Sequence, residues 1–257
     1  MIHKVLKLSI TNCYILKAGN CYILVDTGYD WEWETFSAEL RKTGISYMDI
    51  QWLLLTHHHD DHAGLLNNLL QENPNIKVVM SIHAERLVRA GKNARTGGYI
   101  NKMVYMLAGL KQRFDKKWTQ SFPPYITRDV DILIREELPL RKTGIELDGK
   151  IIETPGHTRD SISVVLDDGD CIVGDAASNF LRFAGTRHCA VYLEDLEQFY
   201  GSWNTIIEAG AKRIYPSHGP PFSVEELKKN ISRNRKRNMV PDSAFISGER
   251  EPTGFNK

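Results

Sequence analysis

The chain has 257 residues, 42% of them hydrophobic, and a formal net charge of only +1 at neutral pH. That length and apolar content suit a single domain (residues 1–257) with a large core, and no apolar run approaches the 18 residues of a membrane-spanning helix. The N-terminal MIHKVLKLSI enters a strand pattern without a signal peptide's apolar core, and the four cysteines (Cys13, Cys21, Cys171, Cys189) form no CxxC pair. A cytoplasmic protein with reduced thiols is therefore expected.

Residues 5–10, 14–16 and 21–25 are short, rich in β-formers and separated by turn residues such as Gly19-Asn20, which predicts an antiparallel meander. Residues 31–43 read as a helix stopped by Gly44. The apolar run 52–55 predicts a buried strand, and Leu65, Leu66, Leu69 and Leu70 then recur at helical spacing. Further strands are expected at 77–80, 151–153, 162–166, 171–173 and 213–215, and helices at 195–209 and 223–238. Between them, Ile100, Met103, Val104, Leu107, Leu110 and Phe114 form an i, i+3/i+4 stripe. It predicts one long amphipathic helix within a helical insertion at 84–128, serving as a lid or pocket wall over a site, packing on the domain, or forming a homodimer contact, because so wide an apolar face requires a cover. The β-heavy start disfavours a doubly wound parallel sheet and favours sheets packed face to face with helices outside. The polar tail 248–257 is expected to be poorly ordered.

Residues 56–64 read THHHDDHAG and carry most of the chemical information. His57, His59, Asp61 and His62 fall within six positions, and imidazole and carboxylate are the donors that suit zinc, iron or manganese. The i, i+2 spacing puts His57 and His59 on one side of an extended segment, with His58 turned away. Placed between a strand and a helix, the cluster sits on a loop, where functional groups are commonly displayed.

HxHxDH followed by a small residue and glycine resembles the signature of the metallo-β-lactamase superfamily. Four further motifs follow the family's order: Asp26-Thr27-Gly28, Thr154-Pro155-Gly156-His157-Thr158, Gly174-Asp175 and Ser217-His218-Gly219. The resemblance implies an αββα sandwich of two mixed sheets with the site at one edge. It implies one metal position held by His57, His59 and His157, and a second held by Asp61, His62 and His218, with Asp175 and a hydroxide bridging them. Two divalent ions are implied, zinc first and iron or manganese as alternatives. Asp26 is implied to support the metal loop without coordinating.

The function the resemblance implies is a dinuclear hydrolase opening an ester, thioester or lactone, as glyoxalase II and the acyl-homoserine lactonases do. Asp61 is the expected catalytic residue, orienting the nucleophile or carrying its proton, and activity is expected to fall below about pH 6 as ligand histidines protonate. A mononuclear iron enzyme of the persulfide dioxygenase type and a non-catalytic binding protein on the same fold are the alternatives. Ten basic residues stand against Glu85 and Asp115 in 84–128, and six against Glu225 and Glu226 in 222–240. This segregated charge favours an anionic small-molecule substrate. Neutral overall charge and the lack of aromatics among the basic runs argue against nucleic acid. His3, His83 and His188 read as isolated histidines, and Thr158 and Ser161 as site or turn hydroxyls.

Overall fold

The computed structural model describes residues 2–117, 119–234 and 238–242; the tail 248–257 lies outside them. The chain opens with β1 (Ile2–Lys7), β2 (Asn12–Ala18) and β3 (Cys21–Val25), then α1 (Trp33–Thr43) and β4 (Ile50–Leu54). The one-turn α2 (Asp60–Ala63), α3 (Leu66–Glu72), β5 (Lys77–Ser81), α4 (Glu85–Ala90), β6 (Gly98–Tyr99) and α5 (Lys102–Phe114) follow. Next come β7 (Ile132–Ile134), β8 (Leu138–Pro139), β9 (Gly149–Glu153), β10 (Ile162–Leu166), β11 (Asp170–Gly174) and β12 (Tyr192–Leu193). The last are α6 (Leu196–Glu208), β13 (Arg213–Pro216), β14 (Phe222–Ser223), α7 (Val224–Asn234) and β15 (Val240–Pro241).

Two six-stranded sheets result, in the orders β1-β2-β3-β4-β5-β7 and β14-β13-β11-β10-β9-β8. Both are mixed: β1, β2 and β3 form the expected antiparallel meander, while β3, β4, β5 and β7 run parallel, as do β11 and β13. The period-two alternation of a strand divides the side chains between two apolar layers. Tyr14, Leu16, Ile23, Val25, Trp52, Leu54 and Val79 meet Ile151, Ile162, Val164, Leu166 and Ile172 between the sheets. The alternate residues Cys13, Ile15, Leu24, Leu53, Val78 and Met80 face outward onto Phe36 and Leu40 of α1 and Leu66 and Leu69 of α3. On the opposite side Ile152, Val165, Cys171 and Val173 pack on Phe199, Trp203 and Ile206 of α6 and Leu227 of α7. The strands therefore read as continuous apolar runs because both faces are covered, each buried Leu or Ile contributing about 1.5–3 kcal/mol. The architecture is helix, sheet, sheet, helix.

Boundaries moved where caps decided them. Gly44, left-handed at φ 76°, ends α1 as expected, and Asp195 caps α6 by accepting from the Gln198 amide. The first strand lies earlier than expected and is over by Leu8, leaving 8–11 as a loop toward the site. The predicted helix at 223–238 is described only to Asn234, residues 235–237 lying outside the described set. The largest correction concerns 84–128, which is not wholly helical. Asn101 caps α5 through the Val104 amide, so Ile100 falls outside the helix, and β6 pairs with β12 and β15 in a small third sheet. Half of the apolar stripe is also uncovered: within α5 only Val104 is buried, while Met103, Leu110 and Phe114 are exposed.

Candidate metal centre

Every metal-type residue singled out in the sequence follows the C-terminal end of a strand at one edge of the sandwich. Beyond β4 the chain bends at Thr56 and is extended at His59, with His57 and His59 on one side and His58 turned to Asp160 on the other. The turn α2 then delivers Asp61 and His62. Gly64 closes the motif because a Cβ there would lie 2.5 Å from both the Asp60 carbonyl and the Asp30 amide nitrogen. His157 follows β9, Asp175 follows β11 and His218 follows β13. Gly156, at φ +124°, lets the loop press on α6, where a Cβ would meet the Phe199 nitrogen at 2.2 Å.

All seven residues converge in three overlapping groups: His57, His59 and His157; His57, His62 and Asp175; and Asp61, His62 and His218. His157 Nε2 lies 3.1 Å from His57 Nε2 and 3.0 Å from His59 Nδ1. His218 Nε2 lies 3.2 Å from Asp61 Oδ2 and 3.3 Å from Asp175 Oδ1. Asp175 spans the two sets, with Oδ2 3.6 Å from His157 Nε2 and Oδ1 3.8 Å from His62 Nε2.

The outer nitrogens of four rings have partners that assign their tautomers. His157 Nδ1 meets the Tyr192 carbonyl at 2.8 Å and His218 Nδ1 the Ile10 carbonyl at 2.9 Å. His62 Nδ1 meets Asp26 Oδ2 at 2.8 Å, and His57 Nδ1 meets the Thr56 hydroxyl at 3.1 Å. Each outer N–H donates, so the inner nitrogens of the neutral His57 and His157 rings present lone pairs to each other, while those of His62 and His218 face carboxylates and do so only once deprotonated. Buried lone pairs and carboxylate oxygens packed 3–4 Å apart repel one another unless a cation lies among them. The inner His62 Nε2 and Asp175 Oδ1 are also buried without a hydrogen-bond partner. This donor set fits divalent metal ions held by nitrogen and oxygen ligands.

Electrostatics divides the two sets. Burial and neighbouring imidazoles hold His57 and His59 well below the ordinary histidine range, and burial likewise lowers His157, so all three are neutral, ligand-competent rings. Burial also opposes charge on His62, but Asp61, Asp26 and Asp175 outweigh it and push the pKa up to about 9. His218 is raised in the same way, burial being overcome by Asp175 and Asp61. The carboxylate-rich set thus attracts protons when it lacks a metal, and a metal would displace them.

Asp26 accepts from the Thr56 amide, the Thr56 and Ser217 hydroxyls and His62, tying its own loop to two that carry ligands. His58 points away and is held by Asp160, its Nδ1 2.9 Å from Oδ1 and its amide donating to Oδ2, while its Nε2 accepts from the Ala94 amide. Asp60 exchanges two hydrogen bonds with Asn93, and burial beside Asp61 pushes its pKa up to about 7. Asp160 and Asn93 drew no attention in the sequence, because their partners lie 102 and 33 residues away. Thr158 and Ser161 bond to each other and stabilise the turn after His157. His3 packs at a tilt against Tyr22 at the surface, and His188 is buried.

A cavity of about 300 Å³ opens above the centre, with His59, Asp61, His157, Asp175 and His218 in its floor. Its walls are chiefly apolar and aromatic: Tyr29, Tyr99, Tyr192, Phe180, Leu181 and Phe183, with Val104, Leu107 and Ala108 of α5. Helix α5 is therefore a wall of this cavity. Lys111 and Arg95 supply the positive charge, and Arg95 is paired with Asp242 through Nε at 2.8 Å.

Residues 6–218 match the family model described as the metallo-beta-lactamase superfamily. The chain belongs to that superfamily. It is 28% identical over 235 residues to a beta-lactamase-like protein 2 homolog of Caenorhabditis elegans, covering 88% of this chain but 62% of that protein. It is 23% identical to the probable metallo-hydrolase YqjP of Bacillus subtilis, covering 94% of this chain and 77% of the relative. The structure of a metallo-beta-lactamase family protein from Thermus thermophilus superposes with a TM-score of 0.62 at 19% identity, covering 90% of this chain and 79% of the other. The fold is thereby that of the superfamily, the relatives include metallo-hydrolases, and this chain carries His/Asp groups able to bind metal. Among the described residues no helix is long and apolar enough to cross a membrane.

Proposed function

We propose that the protein is a hydrolase holding two divalent cations, zinc foremost, that cleaves an ester, thioester or lactone of a small anionic molecule with an apolar acyl part. The observation that carries this reading is Asp175, whose two oxygens face different sets of ligands, Oδ2 toward His157 and Oδ1 toward His62 and His218. His57, His59 and His157 would hold one ion, and Asp61, His62 and His218 the other, with Asp175 shared. Bound divalent metal lowers the pKa of water to about 7 and polarises a carbonyl oxygen.

The remaining work belongs to the chain. Asp61 faces the cavity, and in the metal-free protein the His62 and His218 charges outweigh the opposing effect of burial and keep its carboxylate ionised. The Thr11 hydroxyl donates to its Oδ2 at 3.3 Å and fixes its direction. From there Asp61 orients the attacking water and accepts its proton. Phe180, Phe183 and the α5 residues cover the acyl part and exclude bulk water, while Lys111 meets the anionic end.

Elemental analysis of protein purified without chelator or added metal, beside the Asp175→Ala variant, tests this reading. About two ions per chain, reduced in the variant, with turnover on one member of an ester, thioester and lactone panel, is the expected result. One tightly held iron and no hydrolysis would instead favour oxygen chemistry of the dioxygenase type. No metal after reconstitution would overturn the mechanism.

A further inference from the structure

The loop at 178–188 has two sides. Phe180, Leu181 and Phe183 line the metal cavity, whereas Arg182, Arg187 and His188 line a second cavity of about 520 Å³ against α7. We propose that this second cavity binds a phosphate-bearing small molecule of about pyrophosphate to nucleotide size.

Four cationic side chains meet there, Arg182 and Arg187 from the loop and Lys229 and Arg233 from α7, with Glu226 as the one acidic group in the lining. Cations brought together at a concave surface raise the local potential and favour a multiply charged anion. Among the described residues Arg182, Lys229 and Arg233 form no ion pair, whereas Lys228 on the same helix pairs with Glu225. A guanidinium presents paired N–H donors that match two phosphate oxygens, and two or three such groups around one cavity suit a phosphate better than a lone carboxylate.

His188 supplies the second, independent observation. Its side chain is 2% exposed, yet neither ring nitrogen has a hydrogen-bond partner. Glu226 Oε2, 3.8 Å from Nε2, is an ionic neighbour too far for a close hydrogen bond, and the ring stacks on Phe222 at 4.0 Å between centroids. Buried polar atoms in folded proteins are almost always hydrogen-bonded, so an imidazole in a cavity wall with no close hydrogen bond and only the Glu226 carboxylate beside it is available to a ligand atom. Arg187 and His188 are consecutive left-handed residues, at φ 51° and 69°, putting the guanidinium at the exposed rim and the imidazole inside. A cavity of this size exceeds a single phosphate and matches a diphosphate or a nucleotide.

The test is isothermal titration of pyrophosphate and of adenosine 5′-diphosphate into the metal-loaded protein, with melting curves confirming that each variant folds. One-to-one binding should weaken by at least about ten-fold in Arg182→Ala/Arg233→Ala, each lost charge-assisted hydrogen bond being worth about that factor. His188→Phe keeps the stacking and burial but removes the ring nitrogens, and should also weaken binding. Lys77→Ala, on the exposed edge of β5, should leave it unchanged. Absence of binding, or binding equal in all variants because the anion sits on the metal centre, overturns the proposal. A single-stranded RNA oligonucleotide binding more tightly than either probe, with loss in the same variants, would replace the small molecule by a nucleic acid.

Discussion

Asp26→Asn isolates how much of the metal centre is built by a residue that would touch no metal. Asp26 is 1% exposed and gathers four donors: the Thr56 amide at 2.9 Å, the Thr56 hydroxyl at 2.8 Å, His62 Nδ1 at 2.8 Å and the Ser217 hydroxyl at 3.1 Å. It does so at φ 62°, a left-handed conformation that asparagine tolerates well, so the substitution changes charge without adding backbone strain. The hydroxyls can rotate to accept from the new amide, but the two N–H groups cannot. Whichever oxygen becomes NH₂, one N–H donor (Thr56 at Oδ1 or His62 at Oδ2) is left facing another donor. Losing one charge-assisted bond and leaving a buried N–H unmet costs about 3 kcal/mol. For a domain of this size that is a fall in Tm of roughly 6–12 °C. Freed from Asp26, the His62 ring loses its orientation, and affinity for metal at Asp61, His62 and His218 should fall about 10–100-fold. Thermal melts of metal-loaded protein and zinc competition against a chromophoric chelator measure both quantities. A variant melting within about 2 °C of the wild type, with zinc affinity within about two-fold, would refute the argument.

Binding of metal to the metal-free protein at pH 7.5 should release protons from the His62 and His218 set but not from His57, His59 and His157, whose pKa values lie below the ordinary range. Affinity for one ion should then rise as pH climbs toward 9 while the other stays nearly flat, and titrations in buffers of different ionisation enthalpy that detect no proton release would contradict this. The same raised pKa gives the metal-free protein a stabilisation that is full below about pH 6.5 and lost as pH rises through about 9, so its melting temperature should drop across that window. Far from the centre, burial opposes ionisation of Asp131, but the Arg128 guanidinium, the Tyr125 hydroxyl and two amides outweigh it and lower its pKa. Its stabilisation is present above about pH 4 and lost on further acidification, so Asp131→Asn should flatten the acid limb of the stability profile. Gly156→Ala should abolish soluble, metal-binding protein, since its Cβ would lie 2.2 Å from the Phe199 nitrogen; Gly44→Ala meets nothing within 4 Å and should cost only about 1 kcal/mol in a urea melt.

The local pattern of the chain already carried the longer strands and most helices, because these are short-range properties, but not the short strands β6, β7, β8, β12, β14 and β15. The β-rich segments of the opening meander, the apolar run 52–55 and the Gly44 stop each act within a few residues. The i, i+2 spacing of His57 and His59, with His58 turned away, is likewise a property of extended backbone and needs no partner to predict. What burial did to those histidines was not legible in the same way. Fall of activity below pH 6 was expected from ordinary imidazoles, yet desolvation lowers three of them and carboxylates raise two, a division that depends on which loops meet.

The insertion shows the same boundary from the other side. Helical spacing at 103–114 was readable, but the assumption that its apolar face is covered was not, because cover belongs to neighbours. Val104, Leu107 and Ala108 wall the metal cavity while Met103, Leu110 and Phe114 remain exposed. His188 looked isolated in the chain and lies at the wall of a basic cavity. Residue type and spacing thus determined which side chains could bind metal and which segments would be strands. Only the tertiary structure decided that Asp26 joins Thr56, His62 and Ser217, that Asp160 holds His58, and that Arg182 and Arg233 line one cavity, because contacts between residues 30 to 191 positions apart arise from how strands and loops pack and leave no periodic trace in the sequence.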